Sequence, residues 1–115
     1  MSDLLPRLLY FEEVGGEKRW TYELKIVFNY LPTNKLTITD YYQTKPGREM
    51  ITNELIWNIM RTKLHREVLR PVKYHGGRKV YTWDKNYQGK DYRLYFWYEN
   101  NSSDWLWIRN CHRID

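Results

Sequence analysis

Apolar and polar side chains alternate along much of this chain with the period of two that is typical of β-strands. The clearest stretch runs from Trp20 to Tyr30, where almost every second residue is aromatic or aliphatic. Residues 35–43 are rich in Thr, Ile and Tyr, which favour strands, and Pro32-Thr33-Asn34 suits a turn between the two segments. The pattern therefore predicts a hairpin over residues 20–43.

The period changes to that of a helix after the break at residues 44–47. Thr44 can cap a helix that has Pro46 in its first turn. The spacing predicts one amphipathic helix over about 48–65, with its apolar stripe facing a core. The stripe consists of Ile51, Leu55, Ile56, Ile59, Met60 and Leu64.

Strand patterns return after the helix, with a short strand within residues 68–74 and another at 78–84. Residues 91–113 form two alternating segments around the polar turn Asn100–Ser103, which predicts a terminal hairpin. Residues 1–19 are expected to form an arm that docks as a short helix or an edge strand. The overall prediction is one α+β domain over 1–115, with an antiparallel sheet of about five to six strands and one main helix on one face.

The terminal hairpin is expected to separate an apolar face from a face rich in cations and aromatic rings. Leu94 and Phe96 can join Leu106 and Ile108 over the core. Strict alternation puts Cys111 on the other face and His112 on the core side. Arginines among aromatic rings suit phosphates and unstacked bases if that face is open, whereas a second layer would make the rings ordinary core. The face collects Arg93, Tyr95, Trp97, Trp105, Trp107, Arg109 and Arg113.

The charge is concentrated in the half that contains this hairpin. Residues 1–57 carry 7 Lys and Arg against 8 Asp and Glu, whereas residues 58–115 carry 12 against 6. An excess of positive charge beside exposed aromatic rings favours a polyanionic partner.

Several other classes of function are not indicated. Cys111 is the only cysteine, which excludes an internal disulfide and fits a reducing, cytoplasmic setting. His65, His75 and His112 lack the spacing of metal ligands, so neither a metal nor another cofactor is predicted. No apolar run reaches the length that a membrane span requires, and no membrane partner is expected.

From about Met50 onward the chain resembles the RelE/ParE toxin superfamily, in particular the YoeB-like and RelE-like messenger RNA interferases. A helix precedes the lysine-bearing strand Pro71-Val72-Lys73, and the segment Asp91–Tyr95 matches the opening of the family's central strand. The ending Trp107–Arg113 is similar to the family's terminal cluster of Arg, His and Tyr.

The resemblance implies ribosome-dependent cleavage of mRNA and neutralisation by an antitoxin protein. Arg93 would clamp the scissile phosphate and His112 would act as acid or base, while Lys73 and Arg109 or Arg113 hold the RNA backbone. Arg70 stands where YoeB-like members have a glutamate base, so the general base is unassigned. Strict alternation puts Arg93 and His112 on opposite faces unless a bulge or a twist near Asn110 re-aims one of them. The simpler role for Arg93 is an ion pair with Asp91 or Glu99.

Two other functions fit the same surface. One is a non-catalytic module that binds RNA or DNA, and the other is a small inhibitor or immunity protein whose Trp, Tyr and Arg side chains bind a protein. The residues predicted to contact nucleic acid are Lys73, Arg78, Tyr95, Trp97, Trp105, Trp107, Arg109 and Arg113.

Overall fold

Within the residues that the structure describes, the chain forms a seven-stranded sheet with one helical segment against one face. This computed structural model describes residues 5–99 and 102–114. The α+β class is confirmed, but the sheet has more strands than the five to six predicted, and the helix is shorter. The strands are β1 (Leu8–Val14), β2 (Glu17–Phe28), β3 (Leu31–Thr39), β4 (Lys73–His75), β5 (Arg78–Tyr87), β6 (Lys90–Tyr98) and β7 (Trp105–Arg113).

The strands lie in the order β1-β2-β3-β7-β6-β5-β4. Neighbouring strands are antiparallel except β3 and β7, which are parallel. The sheet therefore consists of two antiparallel meanders, β1–β3 and β4–β7, and joins them along the β3–β7 boundary. The expected arm contributes a full edge strand, because β1 pairs with β2 from Leu8 to Val14.

Four hairpins have loops of two residues, and both residues of each loop have a positive φ. This backbone is that of the type I′ turn, which matches the twist of the strands it joins. Glycine fits such positions without strain, as at Gly15-Gly16 and Gly76-Gly77. The turn between β2 and β3 is Asn29-Tyr30, so the prediction of a turn at Pro32–Asn34 was wrong; those residues belong to β3. Part of the predicted turn at Asn100–Ser103 lies outside the described residues.

The helix α1 (Asn53–Ile59) begins later than predicted, because Thr52 rather than Thr44 caps it. The Thr52 hydroxyl accepts a hydrogen bond from the backbone N–H of Leu55 at 3.1 Å. A π-helical turn, Met60–Leu64, continues it, and a 3₁₀ turn, Asp40–Thr44, follows β3. No helix in residues 5–99 and 102–114 is long and apolar enough to cross a membrane.

The core lies between the helix and one face of the sheet, which we call the core face. Ile56, Ile59, Met60 and Leu64 of the predicted stripe are fully buried there. An aromatic cluster continues the core along the sheet. Its members are Phe28, Tyr81, Phe96 and Tyr98, with ring centroids 5.3–6.3 Å apart.

A bulge in β7 changes which side chains point to which face. Tyr95 pairs with Asn110 and Phe96 with Ile108, so Arg109 is an extra residue without a partner in β6. Beyond it the alternation is reversed relative to the prediction. Cys111 lies fully buried in the core, where burial raises its pKa to about 12. His112 lies opposite Arg93 on the other face.

Candidate nucleic-acid interface

The face of the sheet opposite the helix carries a groove of about 740 Å³. Tyr95, Trp97 and Trp107 line it from the central strands β6 and β7. Tyr95 and Trp97 are half-buried rather than enclosed beneath another layer, whereas Trp107 is buried, with only 8% of its surface exposed. We call these three rings the groove floor. Arg19 of β2 and Lys73 of β4 reach the groove from opposite halves of the strand order, on the same face of the sheet.

Two of the floor rings are each covered by an arginine. The Arg78 guanidinium lies 5.0 Å from the ring centroid of Trp97, and the Arg19 guanidinium lies 5.2 Å from that of Trp107. Such contacts are favourable because the cation meets the negative face of the ring. A base that stacked on either indole would take the place of the guanidinium, which could then move to a phosphate.

Carboxylates hold both arginines near the rings. Glu99 lies 3.5 Å from Arg78 and accepts a hydrogen bond from the Trp97 indole N–H at 3.0 Å. Glu17 accepts a hydrogen bond from Arg19 at 2.8 Å. These carboxylates neutralise part of the charge of the groove and keep its arginines ordered.

Lys73 and Arg109 differ from Arg19 and Arg78 in their ion pairing. Within residues 5–99 and 102–114, no carboxylate forms an ion pair with either of them. Arg109 is the bulge residue, and its guanidinium lies 3.6 Å from the ring centroid of Tyr41. The pKa of Tyr41 is lowered chiefly by Lys45, with a smaller effect of Arg109. Both Lys73 and Arg109 line the groove and can contact an anion without breaking a salt bridge.

Next to the groove, a row of polar side chains crosses three strands. Asp84 of β5, Arg93 of β6 and His112 of β7 are direct neighbours. Arg93 donates hydrogen bonds of 2.7 and 2.9 Å to the two carboxylate oxygens of Asp84. This pair lowers the pKa of Asp84 and raises that of Arg93. Asp84 is thus the partner of Arg93, in place of the predicted Asp91 or Glu99.

His112 extends this row toward the groove floor through Tyr95. Its Nε2 lies 3.4 Å from the Tyr95 hydroxyl, and the two rings stack with centroids 5.9 Å apart. Its Nδ1 lies 2.9 Å from the carbonyl oxygen of Arg113. The bulge at Arg109 therefore places His112 on the same face as Arg93, as a joint role of these two residues requires.

The structure gathers six of the eight predicted nucleic-acid contacts in the groove. Trp105 lies beside the groove, where Lys35 is 4.3 Å from its ring and its indole N–H donates to the Thr37 hydroxyl at 2.8 Å. Arg113 faces the other way, toward the start of the helix, with its guanidinium 5.9 Å from the Tyr92 ring. The six in the groove are Lys73, Arg78, Tyr95, Trp97, Trp107 and Arg109.

The sequence did not indicate the N-terminal contribution to the groove. Glu17, Arg19 and Tyr41 reach it because β3 pairs with β7, a contact between segments about 70 residues apart. Beside the floor, the cross-strand pair Thr21 and Thr37 joins β2 to β3 through a hydrogen bond of 2.7 Å between the two hydroxyls.

Comparisons with family models, with curated proteins and with solved structures found no match to this chain. The geometry and charge of the groove are therefore the features that bear on function.

Proposed function

We propose that the protein binds a short single-stranded segment of RNA in the groove, without covalent chemistry. The observation that carries this proposal is the arrangement of three aromatic rings on a concave floor with cations on both sides. Sequence-tolerant binding of single strands commonly combines these two features, since bases stack on the rings while cations follow the phosphates.

The shape of the groove favours single strands over a duplex. A concave surface cannot enter the groove of a double helix, whereas it can enclose bases that are splayed away from their stack. Its volume of about 740 Å³ also falls within the range of roughly 300–1,000 Å³ that is usual for binding pockets. A few unstacked nucleotides fit this description better than a long tract.

The charges support the same ligand. Four cationic side chains line the groove against two carboxylates. Lys73 and Arg109 are free of carboxylate partners among the described residues, so phosphates would not compete with an existing ion pair at those positions. Arg19 and Arg78 can exchange their contacts with the rings for contacts with phosphate.

Binding of labelled oligonucleotides tests the proposal, with fluorescence anisotropy measured for RNA, for DNA of the same sequence and for the RNA duplex. We expect single-stranded RNA to bind most tightly and its affinity to fall steeply with salt. Trp97→Ala should reduce the affinity by about 1–3 kcal/mol, the usual value of one stacked base.

A matched pair of lysine variants separates the groove from the general charge of the protein. Lys73→Glu should weaken binding about fivefold or more and reduce the salt slope by about 0.7, the value for one phosphate contact to a single strand. Lys79→Glu makes the same change on the neighbouring strand but away from the groove lining, and should have a much smaller effect. Equal effects of the two variants, or no salt-dependent binding by a folded wild type, would refute the groove as the site.

The endoribonuclease remains a second candidate because the bulge brings His112 beside Arg93. In that reaction, the 2′-hydroxyl of the RNA attacks the adjacent phosphate, one group accepts the hydroxyl proton and another protonates the leaving oxygen. His112 could serve as one of these groups, and Arg93 could stabilise the charge on the phosphate. The phosphate would have to compete with Asp84 for Arg93, which is why we rank this candidate second.

Incubation of the protein with translating ribosomes and end-labelled mRNA tests this second candidate. Cleavage products that disappear in both Arg93→Ala and His112→Ala would support it, and a search for a neutralising antitoxin would then follow. Intact message after incubation with folded wild type would leave binding alone as the activity.

A further inference from the structure

The edge strand β1 exposes an unusual amount of apolar surface. All seven of its residues are exposed, and Leu8, Leu9, Tyr10 and Phe11 are each 42–48% accessible. β1 also lies at one end of the sheet, so its outer backbone groups have no strand beside them within the described residues. A long apolar edge of this kind is a surface on which another strand can add.

Two charged residues of opposite sign flank the four consecutive apolar residues of β1. Arg7 lies just before β1 and is 3.2 Å from Glu23, while Glu12 follows Phe11 and is 3.9 Å from Arg19. A strand with a cation at one end and an anion at the other is complementary to a second copy of itself in antiparallel orientation.

A bulge in β1 brings the two charged side chains to the same face of the sheet, as this pairing requires. Positions 7 and 12 are five residues apart, so a regular strand would direct their side chains to opposite faces. The register of β1 against β2 shifts between Leu8 and Tyr10, which reverses the alternation. Arg7 and Glu12 therefore both contact groove-face residues of β2, whereas Leu8 and Phe11 lie opposite Tyr22 and Trp20 on the core face.

We propose that two copies of this chain pair antiparallel through β1, about a two-fold axis perpendicular to the sheet. Arg7 then lies opposite Glu12 of the second copy on the groove face, and Leu8 lies opposite Phe11 of the second copy on the core face. Leu9 and Tyr10 meet at the axis. Every side chain from 7 to 12 gains a partner of matching chemistry, which an unrelated strand would match only by chance.

The two-fold axis has a consequence for the groove. Rotation about an axis perpendicular to the sheet leaves each face on its own side, so both grooves of the dimer open in the same direction. The pairing itself does not depend on what the groove binds. One edge of about six residues makes a small interface, and we expect a dimer that dissociates at micromolar concentrations.

Sedimentation equilibrium over a range of concentrations tests the pairing. We expect the wild type to form dimers, while Arg7→Glu and Glu12→Arg alone each raise the dimer Kd at least about tenfold, since like charges then face each other at both ends. Mixing these two variants should restore a 1:1 dimer, because the acidic strand of one then faces the basic strand of the other.

Lys25→Glu is the matched control, because it makes the same charge change as Arg7→Glu and removes the other cation beside Glu23. It should dimerise like the wild type. Leu9→Arg provides a second disruption, with like charges at the axis, and thermal melts verify that each variant is folded. A monomeric wild type, single variants that dimerise normally, or a mixture that stays monomeric would each overturn the proposal.

Discussion

Among the individual residues, Arg93 is the one whose role the structure changes most. It resembles a phosphate ligand in the sequence, but Asp84 occupies its guanidinium with two hydrogen bonds. The pair lies on the surface of the sheet face that contains the groove, next to Tyr95. Asp84 therefore decides whether Arg93 is available to an anion.

Asp84→Asn is predicted to strengthen binding of single-stranded RNA. The substitution removes a negative charge and releases a cation beside the groove floor, so the salt slope of binding should become steeper by about 0.7. Asp91→Asn is the control, since its carboxylate accepts a hydrogen bond from Asn86 at 3.0 Å, whereas Arg93 donates its two hydrogen bonds to Asp84. Anisotropy titrations at several salt concentrations measure both; unchanged binding by Asp84→Asn would show that Arg93 takes no part.

The same pair should make part of the stability dependent on pH. Arg93 lowers the pKa of Asp84 in the folded protein, so the pair contributes fully above the unfolded-state pKa of about 4 and its contribution is lost as the pH falls through the lower folded value. Wild type should therefore be more stable than Asp84→Asn at pH 7, and the difference should shrink toward pH 2. Urea unfolding at both pH values measures this, and a difference that grows in acid would contradict it.

At the level of the elements, the two-residue turns decide the register of the sheet. Tyr30 occupies one of these positions with a φ of 67° and 81% of its surface exposed. A side chain there strains the backbone and has little packing to compensate, whereas Asn29 before it is well suited to a positive φ.

Tyr30→Gly is predicted to stabilise the protein by about 0.5–1 kcal/mol. Relief of the left-handed conformation is worth about 1–2 kcal/mol, and the greater freedom of glycine in the unfolded chain removes part of that gain. Tyr30→Ala keeps the strain and should give no increase. The midpoint of urea unfolding reports the change, and equal effects of Gly and Ala would argue against backbone strain as the cause.

Local patterns were sufficient to predict most of the strands, the helix stripe and the α+β class, because alternation and helical spacing follow from burial of one face. They failed where one residue disturbs the period. The bulge at Arg109 exchanged the faces on which Cys111 and His112 lie. Tyr30 is not a typical residue of a tight turn, so nothing in the sequence indicated that β2 ends at Phe28. Likewise, the pairing of Asp84 with Arg93 depends on the β5–β6 register, which no local pattern contains.

In the molecule as a whole, the β3–β7 boundary joins the two meanders into one sheet. Leu36 of β3 and Leu106 of β7 are neighbours across this boundary, and both are fully buried. The groove spans the same boundary, since Arg19 comes from one meander and Trp97 and Lys73 come from the other. Nothing local in the sequence indicated this parallel contact, which explains why the N-terminal half of the site was missed.

Leu106→Ala is predicted to destabilise the protein by about 2–5 kcal/mol, the usual cost of removing a buried leucine side chain. Leu31→Ala makes the same chemical change at a position that is 42% exposed and should cost much less. Urea unfolding, followed by both tryptophan fluorescence and far-ultraviolet circular dichroism, measures the loss. A small effect of Leu106→Ala would mean that side-chain packing at this boundary contributes little to stability.

β7 follows β3 and β6 in the chain but lies between them in the sheet, and this order matters during synthesis. While the polypeptide is still emerging from the ribosome, β3 and β6 each have a long open edge. The backbone N–H and C=O groups along these two edges have no strand to pair with until β7 is inserted between them. A chain stalled shortly before Trp105 would leave both edges exposed to aggregation, and synthesis of the nine-residue strand β7 would cover them.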